Sequence, residues 1–145
     1  KDELINEAVW QIVGENAANW YTPDRNPDID PRTRLRRLLK EGARVMFQYR
    51  KYMEIGILHV IQNGQMSAKV QILPLLREIY DSGKSDVELR LVAFQLVASL
   101  EVAFLNSRQL GEFLGVDITQ PETFDTIIDM AIDNLIGHGP EEDTK

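Results

Sequence analysis

Apolar side chains recur at every third or fourth position through most of this chain, which is the spacing of one face of an α-helix. No segment shows the sustained alternation of apolar and polar residues that is typical of a half-buried strand. The pattern therefore predicts six helices and no sheet. The first predicted helix runs from Lys1 to about Tyr21. Its apolar stripe includes Ile5, Val9 and Ile12.

Clusters of Pro, Gly, Asn and Asp mark the ends of the first, third and fourth predicted helices. A loop with three prolines, residues 22–31, precedes the second helix. We expect Asp30 to cap this helix and Pro31 to occupy its first turn, with the apolar stripe continuing to Tyr49. The third helix is predicted over residues 52–62, and the fourth from Ser67 to the turn at 81–83. Pro74 falls inside the fourth helix and is expected to kink or shorten it.

The fifth predicted helix is the longest and the most apolar. Ser85 and Glu88 form a capping-box pattern at its start, and the apolar pattern continues to Gly115. About 28 helical residues would span roughly 42 Å. Residues 91–105 are apolar almost all round. A helix of this kind is either wrapped by its neighbours or shared with a second subunit.

The carboxyl-terminal segment predicts one more amphipathic helix and a tail. This helix starts at Thr119, turns Phe124 inward and ends at Gly137. The polar residues 140–145 predict a disordered tail. We expect residues 1–139 to form one domain, because 145 residues suffice for a single core.

Composition excludes several classes of site. The chain has no cysteine, and its two histidines, His59 and His138, are far apart, so no metal site is expected. No apolar run approaches the ~18 residues of a membrane span, and no signal-peptide pattern is present, which predicts a cytoplasmic protein. Without a Gly-rich phosphate loop, a Ser–His–acid grouping or paired carboxylates, we do not expect an enzyme or a cofactor.

Charge is distributed unevenly along the chain. Residues 1–72 carry 11 Lys/Arg and 9 Asp/Glu, whereas residues 73–145 carry 5 and 14. An acidic half repels nucleic acid, so the chain alone is a poor DNA-binding protein. The second helix has a basic face that fits an anionic partner, or a solvated face that pairs with the acidic half. The residues of this face are Arg32, Arg34, Arg36, Arg37, Lys40 and Arg44.

Two acidic features lie on the predicted carboxyl-terminal helices. Asp125, Asp129 and Asp133 follow one helix face, which fits solvent exposure or, as the alternative, a divalent cation. Glu101 is the one carboxylate in the apolar run of the fifth helix. We expect a neighbouring cation such as Arg90 or Arg108 to neutralise it.

The opening residues Lys1-Asp2-Glu3-Leu4-Ile5-Asn6-Glu7-Ala8-Val9 resemble a junction of the tetracycline-repressor (TetR) family of bacterial regulators. In that family, S-K-[ED]-E-L-[IL] follows the DNA-recognition helix and opens the regulatory core. The predicted helix order over all 145 residues is also similar to that core. Family members carry a three-helix DNA-binding head ahead of this junction, which this chain lacks. We therefore expect the regulatory core of a longer protein.

The resemblance implies an all-α, six-helix TetR-like core that forms a homodimer and binds a small, largely apolar effector. Effector binding would release a repressor from its DNA operator, which is contacted through the missing helix-turn-helix. Lys1 matches a family lysine that often touches a DNA phosphate. The candidate pocket residues are Trp10, Val13, Phe47, Tyr52, Ile55, His59, Phe94, Gln95 and Ser99. The candidate dimer residues are Leu100, Phe104, Leu105, Ile127, Ile128, Ala131 and Leu135.

Other interpretations of these residues stay open. The aromatic residues fit ordinary core packing as well as pocket walls. Gln95 and Ser99 either bond to neighbouring helices or anchor a ligand, since burying them unpaired costs about 1–3 kcal/mol each. His59 is either a satisfied structural residue or a ligand contact. The alternative function is an all-helical module that binds a partner protein's helix in a groove.

Overall fold

The computed structural model of this chain describes Leu4, Glu7, Ala8 and residues 25–137. All secondary structure in these residues is α-helical, which confirms the predicted class. Between residues 25 and 137 there are seven helices: α1 (Pro31–Gln48), α2 (Arg50–Asn63), α3 (Ser67–Gln71), α4 (Leu73–Tyr80), α5 (Asp86–Leu105), α6 (Ser107–Leu114) and α7 (Pro121–Leu135). Most of the predicted helix 1–21 and all of the predicted tail 140–145 lie outside the described residues.

Two predicted helix starts, at Asp30 and at Ser85, are confirmed in detail, whereas the last helix begins at Pro121 rather than at the predicted Thr119. The Asp30 carboxylate accepts hydrogen bonds from the backbone amides of Arg32 and Thr33 at the start of α1. At the start of α5, the Ser85 hydroxyl accepts from the Glu88 amide while the Glu88 carboxylate accepts from the Ser85 amide. Local side-chain chemistry, legible in the sequence, therefore sets where these two helices begin.

Two of the predicted helices are each divided in two. The fourth breaks between α3 and α4, where Pro74 has no amide hydrogen for the preceding turn. The fifth ends at Leu105, and α6 follows after Asn106. The Asn106 side chain donates to the Val102 carbonyl at 3.1 Å, a local bond that competes with helix continuation. The 20 residues of α5 span about 30 Å instead of the predicted 42 Å.

Helix α5 lies at the centre of the packing. It contacts α2, α3, α4, α6 and α7, while α1 packs against α7, α4 and α2. Phe47 of α1 meets Phe104 of α5 and Phe124 of α7 edge-on, at ring distances of 5.2 and 5.3 Å. The largest fully buried apolar side chains are Leu35, Ile72, Leu75, Leu76, Leu96, Phe104, Ile118, Phe124, Ile128 and Ile132.

Opposite charges join α1 to α7 in a ladder. Cations four residues apart on α1 meet carboxylates four residues apart on α7, so three successive turns are paired. The ion pairs are Arg36–Asp129, Arg36–Asp133, Lys40–Asp129 and Arg44–Asp125. The basic face therefore pairs with the acidic half, as one of the two interpretations predicted, and the aspartates bind cationic side chains.

The ladder holds its central carboxylate in the charged form. Burial opposes the charge of Asp129, but hydrogen bonds from Lys40 and Arg36 outweigh it and lower the pKa of Asp129. Arg34, also on the predicted basic face, is buried and binds Glu78 of α4 with two hydrogen bonds at 3.1 and 2.7 Å. Ion pairs thus attach α1 to both α7 and α4.

Two glycines allow a matched test of this packing. A Cβ atom on Gly111 would lie 2.7 Å from the Val116 carbonyl oxygen, whereas one on Gly56 meets no described atom within 4 Å. We expect Gly111→Ala to lower the free energy of unfolding by about 1–3 kcal/mol, because the tight turn must open. Gly56→Ala should raise it by roughly 0.5–1 kcal/mol, since alanine favours a helix interior.

Urea unfolding followed by far-ultraviolet circular dichroism measures both changes. Equal effects of the two substitutions would contradict the tight packing of α6 against the turn that follows it.

Candidate functional site

An apolar cleft lies between α3 and α4 on one side and α5 on the other. We call it the α4–α5 cleft, and its volume is about 470 Å³. Ligand pockets commonly have volumes of roughly 300–1,000 Å³. Its apolar wall consists of Met66, Val70, Leu73, Pro74, Ala93 and Phe94.

Local sequence explains why the helices leave this space. Pro74 separates α3 from α4, so this wall consists of two short helices. Across the cleft, α5 presents the small side chain of Ala93. Met66, Val70 and Phe94 remain 45–57% exposed, which is high for large apolar side chains that face one concave surface. The cleft is therefore an apolar surface that the described part of the chain does not cover.

Lys69, which lines the cleft, belongs to a buried ion pair. The Lys69 ammonium donates to the Glu101 carboxylate, and both residues are less than 9% exposed. The sequence predicted Arg90 or Arg108 as the partner of Glu101, and this was wrong. Arg90 and Arg108 instead pair along their own helices with acids four residues away. The correct partner comes from α3, which only the tertiary packing brings close.

Two arginines lie at the end of the cleft nearest the start of α5. Arg77 of α4 and Arg90 of α5 both line the cleft and both bind Asp86, at 3.2 and 3.0 Å. All three side chains are more than half exposed. The cleft therefore combines an apolar wall with a cationic end.

Of the predicted pocket residues that the structure describes, only Phe94 lines this cleft. Phe47 lines a separate, open pocket of about 460 Å³ between α1 and the start of α7. The Phe47 ring faces the Arg50 guanidinium, whose Cζ atom lies 5.5 Å from the ring centroid. Arg50 also donates to the Ser107 hydroxyl, which links the start of α2 to the start of α6. Phe47 and Arg50 therefore contribute to the packing between helices.

The remaining predicted pocket residues are dispersed. Tyr52 is exposed and Ile55 half-buried. The His59 ring lies 3.2 Å from the Asn63 amide, on the same helix. Gln95 and Ser99 are exposed, so neither pays the free-energy cost of an unpaired buried polar group. The Ser99 hydroxyl donates to the Leu96 carbonyl of its own helix. Trp10, Val13 and Lys1 lie outside the described residues.

The predicted dimer residues are mostly covered within the subunit. Leu100, Phe104 and Ile128 are buried in its own core, which removes them from any surface that a second copy could contact. Leu105, Ile127, Ala131 and Leu135 are partly buried against that core. Sequence reasoning did not select four exposed apolar residues in this part of the chain, which are Val102 of α5, Phe113 and Leu114 of α6 and Met130 of α7.

Sequence reasoning also missed most of the cleft. Met66, Val70, Arg77 and Arg90 were not selected, since each fits an ordinary helix position. A signal was available at Pro74, which breaks the helix beside the cleft and so predicts a gap in the cover of α5. Within the described residues, no three His, Asp or Glu side chains group as metal ligands. Nor does any described helix have the length and apolarity needed to cross a membrane.

Comparison with known proteins leaves the family open. No family model, no curated protein and no solved structure matches this chain. The resemblance to the TetR family therefore rests on the sequence pattern and stays a prediction.

The Lys69–Glu101 pair gives a direct test of the cleft wall. Lys69→Met should lower the free energy of unfolding by about 3–5 kcal/mol, because Glu101 would remain buried without a counterion. The double variant Lys69→Met/Glu101→Leu should recover most of this loss, since no charge remains buried. Chemical denaturation of the single and double variants measures both effects. Additive losses in the double variant would show that the two groups are not coupled.

Proposed function

We propose that this chain is the effector-binding and dimerisation core of a TetR-like transcriptional repressor. In this proposal, a small and largely apolar effector binds in the α4–α5 cleft. DNA is bound by a helix-turn-helix domain outside this chain. The observation that carries the proposal is the cleft, with its exposed apolar wall.

The chemistry of the wall favours ligand binding. Three helices contribute apolar side chains to one concave surface, and a ligand there would bury Met66, Val70 and Phe94. Removing apolar area from water stabilises the bound state by roughly 25 cal/mol per Å². The wall is already formed in the described structure, so binding requires little ordering of the protein.

The position of α5 offers a route from the ligand to the rest of the proposed repressor. Ala93 and Phe94 line the cleft, and the same helix carries the exposed Val102 near its carboxyl end. A ligand that shifts α5 therefore changes the surface at both ends of one rigid element. A coupling of about 1–3 kcal/mol is enough to change operator affinity by roughly 5–150-fold.

Dimerisation is supported by the exposed apolar residues near the carboxyl end. Val102, Phe113 and Met130 are exposed on α5, α6 and α7. In this proposal, a second copy of the chain covers these side chains. The regulatory part of the proposal rests on the resemblance of the Lys1–Val9 segment and of the helix order.

A groove for a partner protein's helix is the second candidate function. Val87, Leu91, Phe94 and Val102 are exposed along α5 at intervals of three to eight residues, so apolar groups extend beyond the cleft. Helix-in-groove recognition uses such extended apolar surfaces. The two candidates differ in the size of the occupant, because a small molecule needs the cleft alone.

A neutral fluorescent dye distinguishes the cleft from the rest of the surface. We expect the apolar dye Nile red to bind with one site per chain. Val70→Asp should weaken binding about tenfold or more, because it places a carboxylate on the apolar wall. Val87→Asp is the matched control, since Val87 is 77% exposed and does not line the cleft.

Fluorescence titration measures both affinities, and thermal unfolding verifies that the two variants fold alike. Equal weakening by both substitutions would favour the extended groove, and unchanged binding in both would contradict a site in the cleft.

The dimer is tested by sedimentation velocity at micromolar concentration. We expect a dimer for the unmodified chain. Val102→Asp and Met130→Asp should shift the population to monomer, because each places a charge among apolar contacts. Val87→Asp, at the far end of α5, should remain dimeric. A monomeric unmodified chain would count against the regulatory proposal.

A further inference from the structure

The cationic end of the α4–α5 cleft is unusual for this half of the chain. Residues 73–145 contain only 5 Lys/Arg against 14 Asp/Glu. Two of these five cations, Arg77 and Arg90, line the same cleft. A local concentration of positive charge in an acidic region favours an anionic group at this position.

The charges that line the cleft do not cancel. Lys69 is neutralised by Glu101, with which it forms the buried ion pair. Asp86 is shared by Arg77 and Arg90, so one carboxylate faces two guanidinium groups. The cleft therefore offers one uncompensated positive charge among the described residues.

Both guanidinium groups have hydrogen-bonding capacity left. Each carries five N–H donors. Arg77 contacts Asp86 through Nη2 and Arg90 through Nε, and no other partner for either is found in the described part of the chain. These exposed pairs are weak in water, so an additional anion meets little competition.

The apolar and charged residues of the cleft occupy different positions along the helices that line it. Arg77 and Arg90 lie near Asp86 at the start of α5, whereas Met66 and Val70 precede Arg77 by 11 and 7 residues along the wall that contains α3 and α4. We infer that the cleft binds a linear amphiphile with one anionic head, such as an aliphatic carboxylate. The head binds Arg77 and Arg90, and the chain lies against Val70, Phe94 and Met66.

This inference rests on the proposed ligand-binding function and specifies the class of ligand. Both parts of the ligand are needed. The apolar wall supplies most of the affinity, which rises about fourfold for each methylene buried. The arginines select the head group, because charge-assisted hydrogen bonds form with a carboxylate more strongly than with a neutral hydroxyl.

Three ligands of equal chain length test the inference: decanoate, 1-decanol and decylammonium. Each is titrated against the protein with bound Nile red, and displacement of the dye is measured. We expect decanoate to bind about tenfold more tightly than 1-decanol, and decylammonium to bind most weakly. Added salt should weaken the binding of decanoate and leave the binding of 1-decanol unchanged.

Variants identify the groups that recognise the head. The double variant Arg77→Gln/Arg90→Gln should weaken the binding of decanoate about tenfold and leave the binding of 1-decanol unchanged. Asp86→Asn should strengthen the binding of decanoate. Arg108→Gln is the matched control, because Arg108 also pairs with an acid four residues away but lies outside the cleft. Arg108→Gln should leave the affinities for decanoate and for 1-decanol unchanged.

The outcomes separate this inference from the proposed function. If Nile red binds in the cleft but decanoate and 1-decanol displace it equally, the head-group inference is overturned and ligand binding stands. If Nile red does not bind, the proposed function itself fails. Loss of decanoate binding in Arg108→Gln as well would place the anion outside the cleft and overturn the assignment of the two arginines.

Discussion

The structure depends on how completely its most apolar helix is covered. One side of α5 is buried beneath α2, α3, α4 and α7, and Leu96 and Phe104 on that side are fully inaccessible. The other side keeps Leu91, Phe94 and Val102 exposed. An apolar helix is stable in water only to the extent that other groups cover it. The uncovered side of α5 is therefore the surface on which a ligand or a partner would bind.

Ion pairs join the outer helices to one another around this core. The ladder between α1 and α7 pairs successive turns of the two helices, and Arg34 attaches α1 to Glu78 of α4. An ion pair has a different role at Lys69, which lines the cleft and is buried together with its partner Glu101. This pair has no net charge. The uncompensated positive charge of the cleft therefore lies at its cationic end, which carries Arg77 and Arg90.

The proposed function combines these two properties. An apolar wall with a cationic end can bind a molecule that has both an aliphatic part and an anionic part. Because α5 contributes to the cleft and also carries Val102 near its far end, one helix connects the ligand site with the proposed dimer surface. The regulatory role itself comes from the sequence resemblance.

Local features were predictable because they depend on neighbouring residues alone. The helical class, the caps at Asp30 and Ser85, and the pairing of the basic and acidic faces follow from periodicity, short-range hydrogen bonds and charge spacing. The composition of the cleft was not predictable in this way. Arg77 and Arg90 approach one another only because Asp86 begins α5 beside α4, and the sequence pattern gives no register between helices.

The same limit explains the errors about burial. Periodicity identified α5 as apolar all round, but it could not say which side its neighbours cover, so Phe104 and Ile128 were assigned to a dimer surface and proved to be core. It could not identify Lys69 as the partner of Glu101, because the two residues are 32 positions apart and meet through packing. Helix formation is a local property of the chain, whereas burial depends on which distant segments come into contact.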